Sequence, residues 1–222
     1  MKLKTPSRFI LLVLTLSLPL LTNAHTINYA LENAPGSEVI GYYLKLGFNH
    51  IVPDGMDHIL FVIGLCLLTN NIKSILWQAT AFTVAHSITL ALSMKNIIVA
   101  PPAIVEPIIA LSILFIAVEN ILLNKVMPWR IALVFFFGLV HGLGFASSLN
   151  EIGLPPDRFL TSIISFNVGV EAGQVFIIAG VAVFLILPFR KKEWYRKFIV
   201  IPISLLIGCA ALYWTVERIM EM

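Results

Sequence analysis

The chain has 222 residues, of which 59% are hydrophobic and only 12% are charged, and its formal net charge is +3. Soluble domains are on average about half apolar and about a quarter charged, so this composition predicts a single-domain, all-α integral membrane protein. The positive charge does not indicate nucleic-acid binding, because many of the basic residues cluster at the predicted membrane edges.

Residues 1–24 have the pattern of a cleavable signal peptide. A basic region that includes Lys2 and Arg8 precedes a short apolar region and a stretch of small residues that ends at Ala24. An uncleaved first transmembrane helix is the alternative. Cleavage after Ala24 would make His25 the first residue, and its amine and imidazole would then form a chelating pair. The simpler interpretation is that His25 only follows the cleavage site.

Residues 25–55 are predicted to be an extracytoplasmic segment that contains a short interfacial helix. Between Val39 and Ile51 the apolar residues recur at roughly helical spacing. A helix of this length is too short to span a bilayer, so we expect it to lie in the outer interface.

Residues 56–222 are predicted to form a six-helix transmembrane domain. With residue 25 outside, most basic residues, including Arg130 in a loop, fall on the cytoplasmic side, as the positive-inside rule requires. This orientation predicts a multi-pass protein of the bacterial inner (cytoplasmic) membrane with both mature termini extracytoplasmic. The predicted spans are residues 56–70, 74–94, 103–124, 129–149, 159–188 and 198–217.

Ionisable and amide side chains recur in the outer half of five consecutive predicted spans. Neighbouring spans run in opposite directions, so such groups must fall early in one span and late in the next, as they do here. Together, imidazoles and carboxylates suit a divalent metal ion or a proton relay. The candidate metal ligands are Asp57, His58, His86, His141 and Glu171. The candidate supporting residues are Asn167, Gln174, Ser87, Glu106, Glu119, His50, Asp54 and His25.

Structural alternatives stay open for several of these residues. Asp54 is either a ligand or only a cap of the first predicted span. Glu106 falls in the first turn of a predicted helix, where the helix dipole favours a carboxylate. Glu119 lies in the inner half, either as an inner station on a permeation path or as the partner of an interhelical hydrogen bond.

Two pairs of glycines predict unusually close helix contacts. Gly138 and Gly142 flank His141 in one predicted span, and Gly169 and Gly173 flank Glu171 in the next. Small residues four apart let helix backbones approach closely, which a ligand shell built from several helices requires.

Four ordered segments of the chain carry its intramembrane polar residues: DGMDH at 54–58, FTVAHS at 82–87, FGLVHGLGFA at 137–146 and FNVGVEAGQ at 166–174. Together they resemble the HupE/UreJ family, and the match is closest to its second branch. The resemblance implies a small membrane protein linked to hydrogenase or urease accessory functions, with nickel permease as the usual assignment. Asp57 and His58 match the family's Asp-His motif. The nickel-permease branch has His-Pro before its Gly-x-Asp-His, whereas His50 and Pro53 are separated here.

Three functional hypotheses follow. The first is transport or binding of a divalent metal cation, nickel foremost and zinc as the alternative, through a His/Asp/Glu site open to the outer face. The second is an intramembrane metal-dependent hydrolase, in which a zinc ion keeps one position for water and Ser87 is a hydrogen-bonding partner. The third is a non-transporting assembly factor for a metalloenzyme maturation system. The expected partners are the lipid bilayer, the metal ion and that maturation system.

Overall fold

The computed structural model describes Leu31, residues 34–152 and residues 154–221, and all regular structure in these ranges is helical. The all-α prediction is therefore confirmed for the described residues, whereas the predicted signal peptide and His25 lie outside them. The helices are α1 (Gly36–Ile51), α2 (Met56–Leu67), α3 (Ile72–Met94), α4 (Pro102–Leu122), α5 (Arg130–Ile152), α6 (Phe159–Phe189) and α7 (Arg196–Met220).

Helices α6 and α7 each contain one π-helical turn. A 3₁₀ turn at Pro156–Arg158 leads into α6, whose regular α-helical part is Phe159–Val181 and continues through a π-helical turn at Ala182–Ile186. Helix α7 begins with a second π-helical turn at Arg196–Val200.

Four helices, α3, α4, α6 and α7, are long and apolar enough to cross a bilayer. In α5 the apolar part is shorter and covers Arg130–Ala146. The bounds of these helices agree with the predicted spans to within a few residues at most ends. The chain is thus a multi-pass membrane protein by the length and composition of its helices.

Helices α1 and α2 depart most from the prediction. Together they are long and apolar enough for one span, but the chain bends by 68° between them. Helix α1 runs parallel to α6, since the Arg158 side chain donates to the Ala34 carbonyl oxygen and Gly47 lies against Phe166 further along. Helix α1 therefore packs along α6 as the first half of a bent pair. The sequence could not predict this packing, because apolar spacing gives the face of a helix but not the element against which it packs.

Glycines set the closest helix contacts, as their spacing predicted. A Cβ atom on Gly142 of α5 would overlap the carbonyl oxygen of His86 in α3. A Cβ atom on Gly169 of α6 would overlap the carbonyl oxygen of Leu44 in α1. Backbone contact at these points fixes α5 against α3 and α1 against α6, and the first of these contacts is made at His86 itself.

The helix directions give the bundle two ends. The cavity end holds the start of α4 and the end of α7, where the Arg218 side chain donates to the carbonyl oxygen of Glu106. The opposite end, called the basic end below, holds the end of α4, where the Arg196 side chain donates to the Ile121 carbonyl oxygen. Lys73 at the start of α3 also belongs to the basic end.

A buried ion pair joins three helices towards the basic end. Arg130, the first residue of α5, is fully buried, and its Nη1 lies 3.2 Å from Oε2 of Glu119. The Asn120 side chain donates to the Gly64 carbonyl oxygen of α2 at 2.8 Å. The sequence-based count placed Arg130 in a loop, which is corrected here. Its burial is tolerated because a carboxylate, an amide oxygen and a backbone carbonyl surround the guanidinium.

Removing one member of the Glu119–Arg130 pair is expected to destabilise the protein by about 3–5 kcal/mol, because the other charge stays buried without compensation. Thermal unfolding in detergent should show a large loss for Arg130→Met and for Glu119→Leu. The double variant should recover much of that loss. Lys125→Met, at an exposed position nearby, should have little effect. A double variant no more stable than the single variants would contradict this account.

Helix α1 contains a matched pair of glycines for testing its contact with α6. A Cβ atom at Gly47 would overlap the Phe166 carbonyl oxygen, whereas one at Gly41 meets nothing within 4 Å. Gly47→Ala should therefore destabilise the protein by about 1–3 kcal/mol through overpacking. Gly41→Ala should be neutral or slightly stabilising, since alanine favours the helix. Thermal unfolding measures both, and equal effects would argue against the close contact.

Candidate metal centre

Three histidines from three helices converge inside the bundle. His50 lies in the last turn of α1, His58 in the first turn of α2 and His86 within α3. Each offers one ring nitrogen, and these three atoms all lie within 4.8 Å of one another. Three imidazoles at this separation can bind one transition-metal ion, since imidazole suits Zn²⁺, Ni²⁺ and related ions.

The ring nitrogens of this group have unmet hydrogen-bonding capacity. Nε2 of His50, Nε2 of His58 and both ring nitrogens of His86 are buried and have no hydrogen-bond partner. Buried polar atoms in proteins are normally paired, so such a concentration of unpaired nitrogens calls for an explanation. A bound cation would provide one, because each nitrogen would then donate its lone pair to the ion.

A fourth imidazole borders the group. The ring of His141 in α5 lies 5.0 Å from the ring of His58, centroid to centroid. Its Nε2 lies 3.0 Å from the hydroxyl oxygen of Ser112, and its buried Nδ1 has no partner. Ser112 therefore orients this ring. The sequence analysis missed Ser112, which carries no local signal that separates it from other serines in apolar helices.

A cavity of about 510 Å³ leads from the cavity end to the histidines. His50, His58 and His141 line it. Three carboxylates, those of Asp54, Asp57 and Glu106, line it as well, together with the guanidinium of Arg218 and the ring of Trp214. An excess of carboxylates in a narrow opening raises the local concentration of cations.

A layer of aromatic side chains closes the space beyond the histidines. The ring of Phe82 lies 5.7 Å from His58 and 4.9 Å from His141. The ring of Phe61 lies 5.1 Å from Phe82 and 6.2 Å from Phe137, and all three phenylalanines belong to one buried cluster. The histidine site is therefore accessible from the cavity end and blocked towards the basic end.

The two carboxylates predicted as ligands have other partners in this structure. Oδ2 of Asp57 lies 2.8 Å from Nη2 of Arg218, and Oε1 of Glu171 accepts a hydrogen bond from Thr80 at 2.7 Å. Neither carboxylate belongs to the group of three histidines. Metal ligation by Asp57 and Glu171 stays a prediction. Spacing along the helices gave their depth in the bundle but could not identify their partners.

Two predicted supporting amides lie on α6. Asn167 is next to His86, where its Nδ2 donates to the Ile163 carbonyl oxygen and its buried Oδ1 has no partner. Gln174 accepts a hydrogen bond from the Thr83 hydroxyl at 3.0 Å. Asn167 is therefore the predicted supporting amide that borders the histidines directly.

The other supporting candidates have separate positions. The Ser87 hydroxyl donates to the Thr83 carbonyl oxygen of its own helix. Asp54 is exposed and does not cap α2, whose N-cap residue is Gly55 with no side-chain hydrogen bond. Glu106 is exposed and lines the cavity, and Glu119 is held by Arg130 as an interhelical partner.

Comparison with known proteins identifies one family. The model of a family described as HupE / UreJ protein matches residues 25–218. The chain therefore belongs to the HupE/UreJ family, which confirms the resemblance of its four motifs. A search of curated proteins and a search of solved structures each gave no match.

His86→Ala should lower the affinity for Ni²⁺ by at least about 100-fold, because losing even an indirect support of a ligand costs about 10–100-fold. Equilibrium dialysis of the purified full-length protein, followed by metal analysis, measures this. Ser87→Ala is the matched control, since its hydroxyl bonds only to its own helix. It should bind normally. Unchanged Ni²⁺ binding by His86→Ala would exclude the three-histidine site.

Proposed function

We propose that this member of the HupE/UreJ family binds a divalent metal cation at His50, His58 and His86 and carries it across the membrane. The observation that supports this most strongly is the convergence of three ring nitrogens within 4.8 Å, at the inner limit of a cavity. The cation is the transported substrate. Nickel is the first candidate and zinc the second, because neutral imidazole suits both ions.

The carboxylates at the cavity have a separate part in this proposal. Asp54, Asp57 and Glu106 attract the hydrated cation, and Asp57 transfers it to the neighbouring His58. The fourth imidazole, His141, and the unpaired oxygen of Asn167 then complete or support the ligand set. Glu171 and Gln174 belong to the next polar layer, through Thr80 and Thr83.

The proposed topology has six spans, of which α1 and α2 form the first as a broken helix. Transporters commonly bind their ions where a membrane helix is interrupted. The cavity end is proposed to face outside and the basic end the cytoplasm of a bacterial cell, in agreement with the positive-inside rule. A cleaved signal peptide and extracytoplasmic termini belong to the same proposal.

Inward movement of the ion requires the aromatic layer to open. Phe61 and Phe82 are both fully buried, so the aromatic layer is closed in this structure while the cavity reaches the histidines from the other side. Glu119, the predicted inner station, is compensated by Arg130. The pair Thr83–Gln174 therefore offers a better continuation, because its neutral hydroxyl and amide oxygens lie on α3 and α6.

The two alternative functions would use the same histidines differently. A hydrolase would retain a zinc ion and activate water, whereas an assembly factor would bind metal without moving it across the bilayer. Ser87, the proposed hydrolase partner, is bonded to its own helix, away from the histidine nitrogens. This fact favours transport.

Transport is tested in liposomes that contain the purified protein and a metal-sensitive chelating dye. Ni²⁺ influx should exceed that of empty liposomes, and His58→Ala should reduce it by at least about tenfold, in keeping with the loss of a ligand. Mg²⁺ should not be transported, since it prefers oxygen ligands and holds its water.

Two other outcomes would change the interpretation. A metal that stays bound through dialysis, without any influx, would favour the hydrolase. Reversible binding without influx, together with a defect in metalloenzyme maturation in a deletion strain, would favour the assembly factor.

A further inference from the structure

Arg218 occupies the cavity together with the carboxylates. Its Nη2 lies 2.8 Å from Oδ2 of Asp57 in α2, and its Nη1 donates to the Glu106 carbonyl oxygen of α4 at 3.0 Å. The guanidinium carbon also lies 5.8 Å from the centre of the Trp214 ring. One cationic side chain near the end of α7 is thus bound to two other helices and to an aromatic ring beside it.

The partner of Arg218 is the carboxylate nearest to the histidines in sequence. Asp57 directly precedes His58, and both residues line the cavity. Its Oδ2 is occupied by Arg218, whereas its Oδ1 is buried and has no hydrogen-bond partner. The Asp57 carboxylate is therefore only half used by the guanidinium, and its buried oxygen has capacity for a further partner.

The contact between Arg218 and Asp57 is open to exchange. The two side chains are 19% and 24% exposed, so water reaches both of them. Ion pairs in contact with water are weak, because solvent screens the attraction and each charge can be hydrated when they separate. The buried Glu119–Arg130 pair, with side chains 3% and 0% exposed, differs in this respect.

We propose that Arg218 is a tethered cation that occupies Asp57 while the histidine site is empty, and that an entering divalent cation displaces it. This inference rests on the proposed function, because it concerns access to the same site. Displacement frees the carboxylate next to His58 at the moment when a cation is present to use it. It also breaks the ion pair that joins α7 to α2.

Charge makes this exchange selective. A carboxylate attracts a divalent ion twice as strongly as a monovalent ion at the same distance. At the same distance, a monovalent ion is attracted to Asp57 no more strongly than the guanidinium that it replaces, whereas a divalent ion is attracted twice as strongly. Arg218 therefore disfavours K⁺ and Na⁺ at the carboxylate next to His58, since neither ion gains electrostatic attraction over the guanidinium.

Zn²⁺ is a suitable probe for the purified full-length protein, because it is redox-inert and binds imidazole. Arg218→Gln should bind Zn²⁺ about fivefold more tightly, the effect expected for removal of a weak competing ion pair. Asp57→Asn should weaken binding, and adding Arg218→Gln to Asp57→Asn should change little. Lys95→Gln removes an exposed charge beyond the end of α3 and is the control. It should bind normally at about 0.15 M salt, where charges are screened within about 8 Å.

Trp214 provides a readout that needs no change at Arg218. Zn²⁺ should alter the emission of Trp214 in the wild-type protein, because the guanidinium leaves the ring. K⁺ at equal ionic strength should not. The Trp214→Phe variant identifies this signal among the four tryptophans of the chain. Arg218→Gln should bind Zn²⁺ without the change in emission.

The outcomes separate the two proposals. If dialysis shows Zn²⁺ binding that His86→Ala abolishes, the metal site stands. In that case unchanged or weaker binding by Arg218→Gln, or a Trp214 emission that does not respond, overturns the displacement of Arg218 alone. If the wild-type protein binds neither Zn²⁺ nor Ni²⁺, the proposed function fails and the inference fails with it.

Discussion

The bend between α1 and α2 brings together two histidines, His50 and His58, which a straight helix would hold apart. His50 and His58 are eight residues apart, which corresponds to about 12 Å along a continuous helix. Across the 68° bend their ring centroids are 4.7 Å apart. The bend thus converts a spacing along one helix into a contact between two. The third ring, His86, completes the group from α3, so the convergence of the three histidines depends on this interruption of the first apolar segment.

Two kinds of contact hold the bend in position. Glycines bring backbones together beside it, Gly47 of α1 against Phe166 of α6 and Gly55 against the carbonyl oxygen of His50. Further along α2, the Gly64 carbonyl oxygen accepts from the Asn120 side chain and lies within 3.5 Å of Arg130. Helix α2 has only 12 residues and ends inside the bundle, so its last carbonyl groups require such donors. The buried ion pair is therefore part of what anchors the histidine-bearing helix.

The polar groups differ in how fully they are paired. Near the basic end, Arg130 and Glu119 compensate each other in a dry environment. At the histidines, several buried nitrogens are unpaired, which is unfavourable in a protein without a ligand. At the cavity, Asp57 has one oxygen bound and one free. The Glu119–Arg130 pair is thus compensated in charge although Nε of Arg130 has no hydrogen-bond partner, whereas the unpaired nitrogens of the histidines face one another with no opposite charge among them.

The sequence determined the all-α membrane class, the approximate bounds of the long helices and the family. It also singled out His58, His86 and His141, whose rings lie side by side in the structure. Composition, apolar length and alternation of depth are local or one-dimensional properties, so the chain alone carries them. The close helix contacts at the glycine pairs could also be predicted from the sequence, because they depend only on the missing Cβ atoms.

Only the tertiary structure decided which groups meet. Arg218 and Asp57 are separated by 161 residues, and no spacing along the chain predicts such a pair. The same holds for the burial of Arg130 against Glu119 and for the central position of His50. Sequence periodicity gives the face and depth of a residue on its own helix. The rotation of each helix against its neighbours, and the bend between α1 and α2, depend on packing between distant segments, and these decide whether polar groups at equal depth come into contact.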